Sequence, residues 1–217
     1  MHIALIHLFS TTAVQIATQR VESTWTWYVI RAAGFVAAGL LFLLMISGIG
    51  MVTGYTYRLF EPARAWLIHR ALALALCASV LVHVGFLLFD HYVPFNIVQV
   101  LVPFASSYKH SKILGISVGS LSVALGILAF YGIAIVVASS LGWIDTKRGL
   151  WKKLHYINYF ILFAVFFHAL YTGADLTYGV FRKFWILIGV VLLLAVLSRL
   201  WRAGTIRKKS TKNIDKS

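Results

Sequence analysis

The sequence predicts an all-α, polytopic membrane helix bundle, and three observations carry this prediction. Of the 217 residues, 60% are apolar, and the mean hydropathy is +0.85. Only 12% of the residues are charged, which is about half the share usual in a soluble domain. Five apolar segments are each longer than the ~20 residues that a helix needs to cross the hydrocarbon core. They are residues 25–52, 63–89, 113–139, 150–171 and 181–201.

These segments divide the chain into three parts. Residues 1–24 form a weak N-terminal segment, interfacial or transmembrane, because their apolar stretch is short and interrupted by polar residues. Residues 25–201 form the membrane domain. Residues 202–217 form a basic tail, which we expect to be solvated and to have no fold of its own. If residues 1–24 span the membrane, they form a sixth, weak helix beside the five strong ones.

The distribution of basic residues predicts the orientation of the bundle. If the segment 25–52 begins outside, fourteen Lys and Arg residues lie in inner segments and only five in outer ones. Positive residues concentrate on the cytoplasmic side of membrane proteins, so the C-terminus is predicted to be cytoplasmic. The inner residues are Arg58, Arg64, Arg70, Lys147, Arg148, Lys152, Lys153, Arg199, Arg202, Arg207, Lys208, Lys209, Lys212 and Lys216.

Composition also excludes several classes of protein. The net charge of +14 comes from short loops and the tail between apolar segments, so orientation in an anionic bilayer explains it better than nucleic-acid binding. Cys77 is the single cysteine, which excludes disulfides and cysteine-based iron–sulfur or zinc sites within the chain. No GxGxxG or P-loop pattern is present for binding a nucleotide.

Four histidines inside two apolar segments are the chemical signal. His69 and His83 lie fourteen residues apart in the second segment, and His155 and His168 lie thirteen apart in the fourth. Histidine inside a membrane helix is costly and usually functional, and facing imidazoles in a bundle are standard axial ligands of haem. Both helices run from inside to outside, so His69 is expected to face His155 at an inner site, and His83 to face His168 at an outer one. The alternative is that each ring bonds a neighbouring backbone or hydroxyl group.

The thirteen-residue spacing predicts an irregular helix. On an ideal helix His69 and His83 differ by about 40° in direction, but His155 and His168 differ by about 140°. We therefore predict a helix irregularity between Tyr156 and Phe167, or else two cofactors that approach this helix from different sides.

Two arginines are candidate cofactor contacts. Arg31 lies within the first apolar segment, where a guanidinium costs about 2.5–3.5 kcal/mol. A haem carboxylate would offset that cost, and an arginine that reaches the outer headgroups is the alternative. Arg70 is similarly suited to the inner haem or to inner headgroups. Asp90 and Asp175, at the outer ends of the histidine helices, suit either an acceptor cation or capping and solvation.

Other features are interpreted as structural. The aromatic side chains of the fourth segment either line the interior between the haems or make ordinary core and lipid contacts. The remaining histidines are assigned to the surface: His2, His7, His91 and His110. A series of small residues in the third segment suits close helix packing: Gly115, Gly119, Gly126 and Gly132.

Four stretches together resemble the ferric reductase-like transmembrane domain, which NADPH oxidases, ferric reductases and some prokaryotic membrane proteins share. They are WYVIRAAGFVAAGLLFLLMISGI, WLIHRALALALCASVLVHVGFLLFDHYVPF, LVPFAS and LWKKLHYINYFILFAVFFHALYTGAD. The resemblance implies two stacked b-type haems, one held by His69 with His155 and the other by His83 with His168. It also implies that Arg31 lies near the haems.

The resemblance implies an oxidoreductase of the cell membrane that lacks its own NAD(P)H and flavin domain. We expect a transmembrane b-type cytochrome that takes electrons from a separate flavoprotein or a quinol and passes them to an outer acceptor such as ferric iron or oxygen. FAD would enter only through a partner. One alternative is the haem-binding membrane subunit of a periplasmic reductase, as in the methionine sulfoxide reductase system. The other is a non-redox ion or proton transporter, which the lack of buried carboxylates disfavours.

Overall fold

A computed structural model describes residues 2–91, 94–109, 112–113 and 116–214, without side chains for residues 2–24, 112 and 202–214. Its elements follow one another along the chain as helices joined by short connections. The helices are α1 (His2–Thr53), α2 (Pro62–Leu87), α3 (Ile97–Leu101), α4 (Gly119–Gly142), α5 (Arg148–His155), α6 (Ile157–Thr172) and α7 (Gly179–Ile214). Strands β1 (Lys112–Ile113) and β2 (Ile116–Ser117) form an antiparallel pair, and Thr56–Arg58 and Ala174–Leu176 are 3₁₀ turns.

Five membrane-spanning helices are confirmed by length and composition within the described part of the chain. They are Trp25–Thr53, Pro62–Leu87, Gly119–Gly142, Arg148–Thr172 and Gly179–Trp201. The third begins six residues later than predicted, because the residues before it pair as β1 and β2 instead of extending the helix. The short α3 lies in the connection between α2 and α4, and its N-terminus is closed by a capping box between Asn96 and Gln99.

Two antiparallel helix pairs build the bundle. Helix α1 packs mainly on α2, and α4 packs mainly on α6, while α7 lies against α1 and α6. Helix α4 is the most enclosed span, with 44% of its most apolar window buried against 6–17% in the other four. The centre is a cluster of buried aliphatic side chains that all five spans supply. Its members are Leu41, Met45, Leu76, Ala129, Ile133, Val136, Ile161, Ala164 and Leu192.

The first and last helices, α1 and α7, extend beyond their membrane-spanning parts towards the two ends of the chain. Helix α1 is unbroken from His2, so the N-terminal segment is helical; at ~1.5 Å per residue its 52 residues reach about 78 Å, more than twice the hydrocarbon thickness. Its interfacial or transmembrane position stays a prediction. Helix α7 continues to Ile214, so the backbone of the tail is helical where we expected no fold. Lys and Arg are good helix formers, which suits this extension.

The predicted irregularity is present at Tyr156, the first residue of the predicted interval. Helix α5 ends at His155, Tyr156 forms a turn, and α6 runs from Ile157 to Thr172 without a further break. The backbone N–H of Tyr156 is shared between the carbonyls of Lys152 and Lys153, and the N–H of Tyr159 bonds the carbonyl of Tyr156. Such i→i+3 bonds wind the chain more tightly, which reduces the difference in direction that a regular helix would leave between His155 and His168.

Candidate functional site

The structure brings the four histidines together as two facing pairs. The ring centres of His69 and His155 lie 6.4 Å apart, with an angle of 46° between the ring planes. The ring centres of His83 and His168 also lie 6.4 Å apart, at an angle of 89°. The fourteen-residue step along α2 separates the two pairs by about 21 Å along the helix axis. These are the pairs predicted from the direction of the helices.

The separation within each pair suits one metal ion between two imidazoles. Two rings that bind a metal from opposite sides, with metal–nitrogen bonds of about 2.0–2.1 Å, place their centres about 6.4 Å apart. The described residues contain no group of three or more His, Cys, Asp or Glu side chains that could hold a bare ion. A haem iron already has four porphyrin nitrogens and needs only two axial ligands, so the donor set fits haem better than zinc.

Three of the four rings are fixed through Nδ1. His83 Nδ1 donates to the carbonyl of Ile30 at 2.9 Å, and His168 Nδ1 donates to the carbonyl of Ser122 at 2.8 Å. His69 Nδ1 lies 2.8 Å from Ser47 Oγ, which is also within hydrogen-bond distance of the carbonyl of Leu44, at 2.9 Å. Because a carbonyl can only accept, Nδ1 of His83 and Nδ1 of His168 each carry a hydrogen. In those two rings the Nε2 lone pair is left for a metal, an arrangement that is common among histidines that bind metals.

Glycines lie against the same three rings. A Cβ atom at Gly34 would come within 3.3 Å of the His83 ring, and one at Gly48 within 3.3 Å of the His69 ring. At Gly126 it would lie 2.5 Å from His168 Nδ1. Glycine therefore occupies the positions of α1 and α4 that face an imidazole of α2 or α6. As a result, the rings pack directly on the helix backbone.

His155 is held differently. Its Nδ1 is buried and has no hydrogen-bond partner among the described residues. Its ring lies 5.2 Å from that of Trp151, whose Nε1 donates to Ser140 Oγ. The support of His155 is therefore packing and not a hydrogen bond.

The layer between the two pairs is aliphatic. Leu76 lies seven residues from both His69 and His83 and is 3% exposed, and Ile161 in the same core cluster is fully buried. Among the aromatic side chains of α6, Phe166 stacks on Trp185 of α7 and Phe163 is 54% exposed, whereas Tyr159 packs against the core cluster. A place for these aromatic side chains between two haems stays a prediction.

Arg31 has a partner inside the chain. Its Nε donates to Asp175 Oδ2 at 2.8 Å, and its Nη2 donates to Oδ1 of the same carboxylate. The guanidinium also lies 4.0 Å above the centre of the Trp27 ring. Both members of the pair are half-buried. The sequence predicts a haem carboxylate or the lipid headgroups as the partner of Arg31, and it carries no signal for the ion pair with Asp175. The contact of Arg31 with a haem stays a prediction.

The other candidate charges have structural surroundings. Arg70 is exposed and lies over the Trp66 ring at 5.4 Å, as expected for an anchor at a membrane interface, and its contact with an inner haem also stays a prediction. Asp90 is buried and accepts a hydrogen bond from Thr26 Oγ1 at 3.0 Å, which joins the turn after α2 to α1. The expectation that no carboxylate is buried, which disfavoured a transporter, is therefore wrong. His91 is exposed. The side chains of His2 and His7, and the whole of His110, lie outside the described residues.

Several residues of the site were missed from the sequence. Backbone carbonyls such as those of Ile30 and Ser122 have no sequence signal. Gly34 and Gly48 had one: they are fourteen residues apart in α1, the same step as His69 and His83 in α2.

No family model, characterised protein or solved structure matches this chain. The chemistry of the site must therefore be argued from its own residues.

Proposed function

We propose that this chain is a multi-pass b-type cytochrome of the cell membrane that resembles the ferric reductase-like transmembrane domain. It would bind two haems, an inner one between His69 and His155 and an outer one between His83 and His168. Its function would be to carry electrons from a donor on the cytoplasmic side to an acceptor on the outer face, as the membrane part of an oxidoreductase.

The observation that supports this proposal best is the geometry of the two imidazole pairs. Both pairs have the ring separation that a shared metal ion requires, and they lie at two depths of one bundle. If each histidine only formed a hydrogen bond to satisfy its polar ring, one partner per ring would be enough. The two pairs would then have no reason to share the same ring separation. Here three rings already satisfy Nδ1 elsewhere, so their approach to one another needs a further explanation.

Each part of the chain has a role in this function. The haems, when bound, supply one-electron redox chemistry. Ser47 and the carbonyls of Ile30 and Ser122 hold Nδ1 and fix the orientation of the rings. The aliphatic layer around Leu76 and Ile161 excludes water and protons between the two depths. Lipid covers the exposed apolar faces of the outer helices.

The basic segments of the chain and its place in a membrane support the classes of electron donor and acceptor that we propose. The basic inner segments suit an acidic flavoprotein, and the membrane itself supplies quinol, so either is a donor by this proposal. Ferric iron, oxygen or a soluble reductase outside are the corresponding acceptors.

The deciding experiment is a reduced-minus-oxidised spectrum of the purified protein together with haem quantitation. We expect a b-type spectrum and two haems per chain. His83→Ala is expected to leave one, because the outer pair loses a ligand that the neighbouring residues do not replace.

The matched control is His91→Ala, which removes an exposed imidazole eight residues further along and should leave two haems. A protein with no b-type signal would contradict the proposed function. A wild-type protein with a single haem would contradict the assignment of two pairs.

A further inference from the structure

We propose that the inner pair is the more easily reduced of the two sites, and that Arg199 and Ser47 are the residues that tune it. This inference rests on the proposed function, since it concerns the haems that the pairs would hold. It follows from two differences between the inner and outer surroundings: the acceptors on Nδ1 and the uncompensated charge.

The outer pair has the stronger hydrogen-bond support. A backbone carbonyl can only accept, and the carbonyls of Ile30 and Ser122 bond Nδ1 of His83 and His168 at 2.9 and 2.8 Å. An acceptor on Nδ1–H increases the basicity of the imidazole, so Nε2 donates more electron density to a bound metal. Stronger donation favours the oxidised metal and lowers the reduction potential.

The inner pair has weaker support on both sides. When Nε2 of His69 holds a haem, its Nδ1 carries the hydrogen and donates to Ser47 Oγ at 2.8 Å, and a hydroxyl oxygen is a weaker acceptor than a backbone carbonyl. His155 Nδ1 is buried and has no acceptor among the described residues. The inner imidazoles are therefore the weaker donors, and this favours the reduced metal.

The charges act in the same direction. On the inner side, Arg199 of α7 lies 5.6 Å above the centre of the Tyr156 ring and 5.4 Å above that of Tyr159, and it donates to the Tyr159 hydroxyl. Tyr156 directly follows His155, these partners are neutral rings, and Arg199 forms no ion pair within the part of the chain that the structure describes, so its positive charge is not cancelled there. A nearby positive charge stabilises the reduced haem, which carries one positive charge less than the oxidised one.

On the outer side the corresponding charge is cancelled. Arg31 directly follows Ile30, the residue that holds His83, but its guanidinium is paired with the carboxylate of Asp175. The outer site therefore lies beside a neutral ion pair, whereas the inner site lies beside a cation. Electrons are then expected to stay at the inner site until an outer acceptor withdraws them.

The test is an equilibrium redox titration of the purified protein, with dithionite as reductant and ferricyanide as oxidant, followed by the haem spectrum. We expect two separate one-electron steps, the higher one belonging to the inner pair. Arg199→Gln should lower the reduction potential of the higher step by about 59 mV, which is a tenfold change in the equilibrium constant of a one-electron reduction. The potential of the lower step should not change. Arg199→Lys, which keeps the charge, should restore most of the shift.

Two further variants make the assignment independent of Arg199. Ser47→Ala should raise the higher step, because His69 loses its acceptor and becomes a weaker donor. Asp175→Asn should raise the lower step, because the charge of Arg31 is no longer cancelled. Lys109→Gln removes an exposed charge in the outer connection and should move neither step.

Three outcomes would overturn the inference: two haems with one shared potential, an Arg199→Gln effect on the lower step, or an Asp175→Asn effect on the higher one. None of these would affect the proposed function, which fails if the protein shows no b-type signal.

Discussion

At the scale of single residues, an imidazole is a good ligand only if its orientation is fixed before the metal binds. Three rings here are fixed twice, by an acceptor on Nδ1 and by a glycine against the ring. The histidines were recognisable in the sequence because each is costly in an apolar segment. Their supports were not, because a carbonyl belongs to every residue and a glycine in a membrane helix is common.

The clearest residue-level prediction concerns Gly126. In Gly126→Ala the new methyl group would lie 2.5 Å from His168 Nδ1 and 2.6 Å from Cε1, so the ring must move away from the Ser122 carbonyl. We expect the loss of most of the outer haem and a cost of about 1–3 kcal/mol in stability from overpacking. Haem quantitation and thermal unfolding in detergent measure the two effects.

Gly142→Ala is the matched control, because it makes the same change in the same helix where no atom lies within 4 Å of the new methyl group. It should keep two haems and the wild-type unfolding temperature. Equal haem content in both variants would show that the glycine does not position His168.

At the scale of the elements, the five spans could be predicted from length and hydropathy, and their bounds mostly agree within a few residues. The largest difference is at the start of the third span, where Gly119 begins the helix only after a strand pair. The thirteen-residue step between His155 and His168 predicts an irregular helix, and the break at Tyr156 confirms it. The tie between α1 and the turn after α6 was not predictable, because Arg31 and Asp175 lie 144 residues apart and only the packing of the bundle brings them together.

That tie gives a prediction for the elements. Arg31→Gln and Asp175→Asn should each destabilise the protein, and a double-mutant cycle should show a coupling of about 1 kcal/mol or more, because the bidentate pair is only 29% and 23% exposed. Thermal or denaturant unfolding in detergent measures the cycle. The outer helix ends should also become more accessible to protease in either single variant.

The exposed pair between Glu61 and Arg64 is the control for this cycle. Its side chains are 77% and 74% exposed, so its coupling should be close to zero. If the pair of Arg31 and Asp175 showed no more coupling than this one, it would not hold α1 to the turn after α6.

At the scale of the whole molecule, the functional argument depends on direction. Two imidazole pairs at two depths can connect the two sides of a membrane, but the protein has an electron entry and an exit only if its orientation is fixed. The excess of basic residues at one end predicts this orientation by the positive-inside rule, and the same end holds His69 and His155. The predicted orientation, the side at which electrons enter and the difference in reduction potential between the two sites therefore depend on one another.

The orientation can be tested with single cysteines in a Cys77→Ser background. Leu59, in the turn between α1 and α2, is 79% exposed, and Tyr178, just before α7, is 82% exposed. A membrane-impermeant maleimide should label Tyr178→Cys in intact cells and Leu59→Cys only after the membrane is opened, because the two positions lie at opposite ends of the spans. The reversed pattern would place His69 and His155 outside, and electrons would then have to enter the bundle at His83 and His168.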